Sequence, residues 1–271
     1  MRDDVSAPVA GEAGEPGDRY LVQPVLKALE VLRAVCDAEG PVALSDLVRH
    51  LSLPKTTVFR YLRTLAAAGL VEHDRDADRY GPGIGLWRLA QSGAPLDRLR
   101  HACRPAMKRL RDRFGETVNL GVLSGGEVLY ADVIESGRSL RMQSSVGATD
   151  PLHCTALGKA LLAFRPEEQR AALLPLRLER RTAATVTDRT ALEEQLAVIR
   201  ATGYAIEVGE NEEGSYCIAV PVADGQGHAV AALSLSAPVS RYDEGARQGI
   251  CAALILAAAE VGEVLQGPAR G

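Results

Sequence analysis

The stretch that most restricts the fold is residues 51–74, LSLPKTTVFRYLRTLAAAGLVEHD. Val58, Leu62 and Leu65 recur at helical spacing and share one face. Pro54 stands at or beside the first helical position, where its missing N–H is harmless, and Gly69 closes the helix, giving a span of 54–68. Leu70–His73 then reads as a short strand, Asp74–Asp78 as a polar turn, and Arg79-Tyr80 as the start of a return strand. Upstream, Val25, Leu29, Leu32 and Val35 mark a helix over Gln23–Ala38 that Glu39-Gly40-Pro41 ends. Ser45 is expected to cap a short second helix that turns Leu47, Val48 and Leu51 inward. Helix, helix, turn, helix and hairpin, in that order, describe a winged helix-turn-helix, the hairpin being the wing.

The chain as a whole is acidic, with 31 Lys plus Arg against 35 Asp plus Glu. Residues 49–71 break that pattern: they hold Arg49, Lys55, Arg60 and Arg63 and no acid. Thr56, Arg60 and Arg63 fall opposite the apolar face, flanked by Thr57 and Thr64, with Lys55 at the N-terminal end. Guanidinium groups bond guanine edges and phosphates, and short hydroxyls reach either. A carboxylate on that surface would repel a phosphate backbone. Basic residues on a helix are also common where they only meet solvent; the helix-turn-helix and wing around this one favour contact with double-stranded DNA. Lys55, Thr56, Thr57, Arg60 and Arg63 are the candidate contacts; in the wing Arg79 and Arg75 are weaker ones, since either could only solubilise the hairpin.

The 271 residues allow two modest domains, and a hydrophobic content of 46% allows each a core. Residues 1–19 read as a flexible tail and 20–88 as the winged helix-turn-helix. Gly81-Pro82-Gly83 and Ser92-Gly93 break the chain on either side of Leu86–Ala90. Leu96, Leu99, Cys103, Met107, Leu110 and Phe114 keep helical spacing, but Pro105 is expected to kink or split the run. A linker helix over 89–104 and a second domain over 105–265 follow, with Leu96, Leu99 and Cys103 as a candidate dimer seam. From Thr117 the period becomes two: Val118, Leu120 and Val122 alternate, Ser124-Gly125-Gly126 turns, and Val128–Ile134 returns. Helices are expected at Leu152–Phe164, Pro166–Leu174, Arg189–Ala201 and about Asp243–Leu265. Strands are expected at Tyr204–Val208, Tyr216–Val222 and Ala229–Ser236, with a turn at Asp224-Gly225. Such a mixture predicts an α+β sensor domain on an antiparallel sheet.

Five cysteines, scattered and without a CxxC pair, fit a reducing cytoplasm better than a disulfide framework or a zinc ribbon. The N-terminal residues lack the apolar segment of a signal peptide. The longest clean apolar run, Ile250–Ala259, is too short for a membrane span. In the second half, His153-Cys154-Thr155 leads into a helix whose free N–H groups near Ala156 and Leu157 favour an anion. Ser234 and Ser236 project from one face of a strand, and Cys217 and Ala219 form a similar pair. An enzyme using a Cys/His pair, or a metal held by His153, Cys154 and Cys217, is the competing reading. Against it, the sequence has no GxSxG, HExxH or Walker A motif, and Gly158-Lys159 is followed by Ala160. No catalytic residue, metal or cofactor is expected.

The segments LKALEVLRAV, LPKTTVFRYLRTLAAAGLVEHD, GETVNLGVLSGGEVLYADVIES, PLHCTALGKALLAF, GYAIEVGENEEGSYCIAVPV and AALSLSAPVSR resemble, in the same order, the IclR family of bacterial transcriptional regulators. The likeness spans about residues 23–262. It implies a winged helix-turn-helix joined by a linker helix to a GAF-like effector domain, in dimers or dimers of dimers on palindromic operators. It also implies a small-molecule pocket at Met142, Ala156, Leu157, Glu207, Ser215, Cys217, Ser234 and Ser236. Glu207 stands where the family more usually has an aspartate, one methylene shorter. Donors at the helix start and on the serines suit a small carboxylic acid, and Glu207 suits a hydroxyl on the same molecule; a repressor's role is expected.

Overall fold

The computed structural model describes residues 21–90, 94–224, 227–242 and 244–266. The expected tail over 1–19 and the break at Ser92-Gly93 lie outside them, as does Gly225 of the expected turn. The chain forms two compact units, residues 1–93 and 94–271.

In the first unit, α1 (Gln23–Cys36), α2 (Leu44–Leu51) and α3 (Lys55–Ala67) enclose a core of Val31, Val35, Leu47, Val58, Leu62, Leu65, Val71 and Tyr80. The three expected inward residues of α3 are all buried in it. Pro54 is the cap residue of α3 rather than its first residue. Ser45 does not cap α2; the cap position is Ala43, and no side chain bonds the helix start. The preceding residues instead form β1 (Val42–Ala43), which pairs with the second strand of the wing and leaves it central in the sheet. The wing comprises β2 (Val71–Asp74) and β3 (Arg79–Pro82), in the order β1-β3-β2. Its turn is held by Asp74 Oδ1, which accepts from the N–H groups of Asp76 and Ala77 at 3.0 Å each. The His73 ring stacks on Tyr80 at 4.3 Å.

Gly81-Pro82-Gly83, read from sequence only as a break, ends β3 and leads directly into α4 (Ile84–Ala90). Gly83 and Gly85 donate N–H bonds to the carbonyls of Leu70 and Gly69, 2.9 and 2.8 Å away. A Cβ at either position would lie 2.3 or 2.5 Å from the Gly69 oxygen, so only glycine permits the approach.

The second unit is built on one antiparallel sheet, ordered β6-β5-β4-β9-β8-β7. Its strands are β4 (Thr117–Ser124), β5 (Glu127–Ile134), β6 (Thr149–Pro151), β7 (Ala205–Val208), β8 (Ser215–Ala223) and β9 (Ala229–Pro238). One face carries Val118, Leu120, Ile218, Val220, Leu233 and Leu235 against α5 (Ala94–Phe114) and α9 (Glu244–Gln266). The other packs against α6 (Ala156–Ala163) and α8 (Arg189–Thr202), with α7 (Glu167–Leu173) beside them. Leu152–Thr155, expected to be helical, is an irregular lead-in to α6.

Two expectations for α5 are corrected. Pro105 sits inside a continuous helix and does not divide it into a linker and a separate first helix. Leu99 and Cys103 are buried in this unit's own core with Leu96 packed beside them, so they are not a free dimer seam. Packing outweighs the lost backbone bond at Pro105: Ala106, Met107 and Leu110 are all buried. On the exposed side Arg104 Nη1 reaches both carboxylate oxygens of buried Asp132 at 2.6 Å. The β4–β5 register slips between Leu120 and Gly121, whose partners are Asp132 and Tyr130. Ala131 is the extra residue of that bulge, and the bulge re-aims Asp132 toward α5.

By length and composition Gly245–Gln266 could cross a bilayer, which the ten-residue apolar run did not anticipate. Here Ile250, Leu254, Ala257, Ala258 and Val261 face the sheet as part of the core.

The entry to α6 depends on one glycine. A Cβ on Gly158 would lie 2.3 Å from the Leu152 carbonyl oxygen and 2.5 Å from its Cα, both fixed backbone. Gly158→Ala must push the helix off residues 152–155. It should destabilise the protein by about 2–3 kcal/mol, the cost of overpacking a tight core, read as a lower urea midpoint at unchanged slope.

Candidate functional site

Two sites emerge, one in each unit. On α3, Lys55, Thr56, Arg60 and Arg63 are exposed and Thr57 is half-buried. The heads of Lys55, Arg60 and Arg63 have no hydrogen-bond or salt-bridge partner among the described residues. Their charges stand free on the side opposite Val58, Leu62 and Leu65. Thr64 is different: its hydroxyl donates to the Arg60 carbonyl at 2.9 Å, so its proton is committed to the helix. Arg79 in the wing is exposed, with Nη1 donating to the Pro41 carbonyl at 3.2 Å. Arg75, in the wing turn, is exposed.

In the second unit all eight residues of the expected pocket line a single cavity: Met142, Ala156, Leu157, Glu207, Ser215, Cys217, Ser234 and Ser236. Strand alternation brings most of them together. Ser234 and Ser236 on β9 and Cys217 on β8 point to the α6 side, Cys217 lies opposite Ser236 in register, and Glu207 on β7 lies opposite Cys217. Met142 is held from below, since the Thr117 hydroxyl donates to its carbonyl at 2.8 Å. Sequence reasoning missed Tyr130, Gln143, Ser144, Asp150, Thr155, Asn211 and Glu212, which complete the lining. They come from the bulged strand β5, from the three-residue edge strand β6 and from loops, where periodicity carries little signal.

The cavity of about 60 Å³ is small beside the roughly 300–1,000 Å³ of sites that take drug-sized ligands. No lysine, arginine or histidine is among its lining residues, whereas Asp150, Glu207 and Glu212 are. Its donors are therefore neutral. Thr155 caps α6 by accepting from Gly158 N–H at 3.0 Å, which leaves the N–H groups of Ala156 and Leu157 without a helical partner. Gly121 lies beneath, where a Cβ would meet the Leu157 side chain at 3.0 Å.

Glu207 does two things. Its Oε1 accepts from the N–H groups of Glu210 and Asn211 and from the Ser215 hydroxyl, so it organises the turn after β7. It is also buried, and burial pushes its carboxyl above the ordinary range despite those bonds. The same turn is tied down by Glu210, whose carboxylate meets the buried Lys159 of α6. Thr182 and Thr185 hydroxyls bond the Gly209 and Glu210 carbonyls at 2.6 and 2.7 Å.

The Cys/His arrangement is not one of nucleophile and base. His153 Nε2 bonds the Glu179 carbonyl at 2.8 Å, and Cys154 Sγ faces Asn211 Oδ1 at 3.5 Å. Burial pushes the Cys154 thiol up to about 12 and raises that of Cys217 too, so both carry their protons at neutral pH. Among the described residues no three of His, Cys, Asp and Glu gather as metal ligands.

Because folding favours the neutral form of Glu207, the folded protein holds its proton more tightly than the unfolded chain. That stability is fully present below the ordinary value of 4.5 and is lost as pH rises through the raised folded value. Glu207→Gln keeps an acceptor for the turn and removes the titration. The melting temperature of the variant relative to wild type should therefore climb from pH 4.5 to pH 8; a difference flat with pH would contradict the burial argument.

Residues 24–75 match the IclR helix-turn-helix domain, and residues 96–263 match the bacterial transcriptional regulator IclR C-terminal domain. The chain is 35% identical over 254 residues to the HTH-type transcriptional regulator BhcR of Paracoccus denitrificans, covering 93% of this chain and 91% of that protein. It is 31% identical to the transcriptional repressor IclR of Escherichia coli, covering 89% of each. Among solved structures, the IclR of Thermotoga maritima superposes with a TM-score of 0.71 at 30% identity, over 90% of this chain and 99% of that one. An IclR homologue of Microbacterium hydrocarbonoxydans complexed with 4-hydroxybenzoate superposes with a TM-score of 0.78 at 28% identity, over 90% and 100%.

Proposed function

The chain belongs to the IclR family of bacterial transcriptional regulators, with a DNA-binding helix-turn-helix and a C-terminal effector-binding domain, and on that premise we propose that it is a cytoplasmic repressor released from its operator by a small carboxylic acid. The observation that carries this reading is the cavity. Two serine hydroxyls and two uncommitted helix-start N–H groups converge there on one small volume, with Glu207, two strands from Ser236 on the same sheet, as an acceptor. Four neutral donors suit a carboxylate; Glu207 suits a hydroxyl on the same molecule. The aromatic hydroxy acid bound by the Microbacterium homologue has both groups, and the repressor named in Escherichia coli supports the sign of regulation. A thiol that keeps its proton at position 154 supports a regulator over an enzyme.

DNA is met through α3. Arg60 and Arg63 read bases or phosphates, Lys55, Thr56 and Thr57 fix the helix start on the backbone, and Arg79 holds the wing. One such helix covers only a few base pairs, so the operator is palindromic and the protein a homodimer or a dimer of dimers. Ile84, Trp87 and Leu89 leave α4 with exposed apolar surface, which supports self-association. The acid acts by differential affinity for the DNA-bound and free arrangements.

Arg60→Ala should weaken operator binding by about 1–3 kcal/mol and relax preference at one base pair, measured by fluorescence anisotropy at fixed salt. An unchanged affinity and sequence profile would remove Arg60 from the interface. In the effector domain, an acid that raises the melting temperature of the wild type should lose that effect in the Ser234→Ala, Ser236→Ala double variant. A variant that still responds in full would place the ligand elsewhere.

A further inference from the structure

Asn119 lies on β4, between β9 and β5, and is 1% exposed. It is not a lining residue of the cavity; it sits behind the two serines that are. Its Nδ2 donates to Ser234 Oγ and to Ser236 Oγ, each at 3.2 Å. Its Oδ1 is buried with no hydrogen-bond partner. That orientation of the amide is the cheaper one. Reversed, the oxygen could accept from both serines, but two N–H groups in place of one oxygen would then be stranded.

The bonds set the polarity of the serines. A hydroxyl has one proton to give and two lone pairs. Ser236 Oγ receives Asn119 Nδ2–H, and the Cys217 thiol lies 3.1 Å away with its one proton shared between Ser236 and Glu207. The bond from Asn119 fills the lone pair of Ser236 that faces the amide, so the hydroxyl proton points away from it. Ser234 Oγ receives Asn119 in the same way and keeps its own proton free.

We infer that Asn119 is a specificity-determining positioning residue, which presents Ser234 and Ser236 to the cavity as hydrogen-bond donors and so selects ligands whose buried end only accepts, a carboxylate over its primary amide. This deepens the reading of the cavity as the effector site and rests on it. The cavity has no cation to recognise a negative charge, so discrimination between an acid and its amide depends on which way these protons point. A carboxylate gives one oxygen to the two serines and the other to the helix-start N–H groups of Ala156 and Leu157. A primary amide has one oxygen only, so its nitrogen brings protons to the other pair and leaves donors facing donors.

The test uses the full chain and two matched pairs of probes: lactate with lactamide, and 4-hydroxybenzoate with 4-hydroxybenzamide. Titration calorimetry on the wild type should show the acid of a pair binding at least about tenfold more tightly than its amide, the scale of one misdirected hydrogen bond. In Asn119→Asp the new carboxylate accepts both serine protons and turns their lone pairs to the cavity, so the preference should invert toward the amide. Asn119→Leu adds no charge; there the acid-to-amide ratio should fall to near one, which separates proton direction from simple repulsion. Circular dichroism checks that the variants are folded. A wild type that binds amide as tightly as acid overturns the inference whether or not the variants fold, and so does an Asn119→Leu protein that keeps the tenfold preference. Failure of the effector reading itself looks different: no probe binds the wild type at millimolar concentration, or binding survives intact in the Ser234→Ala, Ser236→Ala variant.

Discussion

The register of three central strands is the constraint from which the effector domain follows. Side chains on β4, β9 and β8 alternate, and the two faces have opposite character. Val118, Leu120, Leu233, Leu235, Ile218 and Val220 build the core under α5 and α9. Asn119, Ser234, Ser236 and Cys217 face the other way and meet one another across the strands. A slip of one residue in β9 would bury two serines among leucines and put Leu233 and Leu235 into the cavity. Pairing over the length of β8 and β9 makes that slip costly. The apolar face therefore specifies where the polar one lies, and the cavity inherits its geometry from the packing of the opposite core.

The buried pair of Lys159 and Glu210 answers a second need. Both side chains are nearly inaccessible, and removing two charges from water costs several kcal/mol per ion before their attraction returns any of it. An apolar pair would be as stable or more so, hence the value of the ion pair lies in position. It fastens α6, which carries the free N–H groups, to the turn after β7, which Glu207 organises. Helix start and acceptor then approach the ligand from a fixed separation. Beside them, Tyr130 lines the cavity while Asp132, redirected by the bulge at Ala131, grips Arg104 of α5. One irregularity in one strand thus serves both faces of the sheet.

Much of this was legible in the chain. The apolar spacing of α3 and the pairs of serines needed only helical and strand periods, and the eight pocket residues fell together because the likeness to the family already aligned them. What was not legible has physical reasons. Pro105 looked like a boundary because propensity weighs the lost backbone bond and cannot see Ala106, Met107 and Leu110 locked in a core. The same blindness made Leu96, Leu99 and Cys103 look like an external seam. Gly81-Pro82-Gly83 looked like a break because glycine usually is one; that Gly83 and Gly85 let a helix start against the Gly69 carbonyl is a long-range fact. Asn119 sits in TVNLGVL as one polar residue on an alternating strand, a pattern that ordinarily marks a solvent face. Only the pairing of Asn119 with Ser234 in register turns it inward.

Under the proposed function, the two sites would recognise anionic groups in opposite ways. On α3 the charges of Arg60 and Arg63 are exposed and unpaired, so they act over a distance and are screened by salt. That suits a polyanion, where many weak contacts add. No lining residue of the cavity is a cation, whereas Asp150, Glu207 and Glu212 line it. Recognition there depends on short, directed, neutral donors in a site too small for bulk water to screen. Such a site would discriminate by shape and proton direction. The proposed repressor would need that combination: its effector must be told apart from other small acids, yet must leave when its concentration falls.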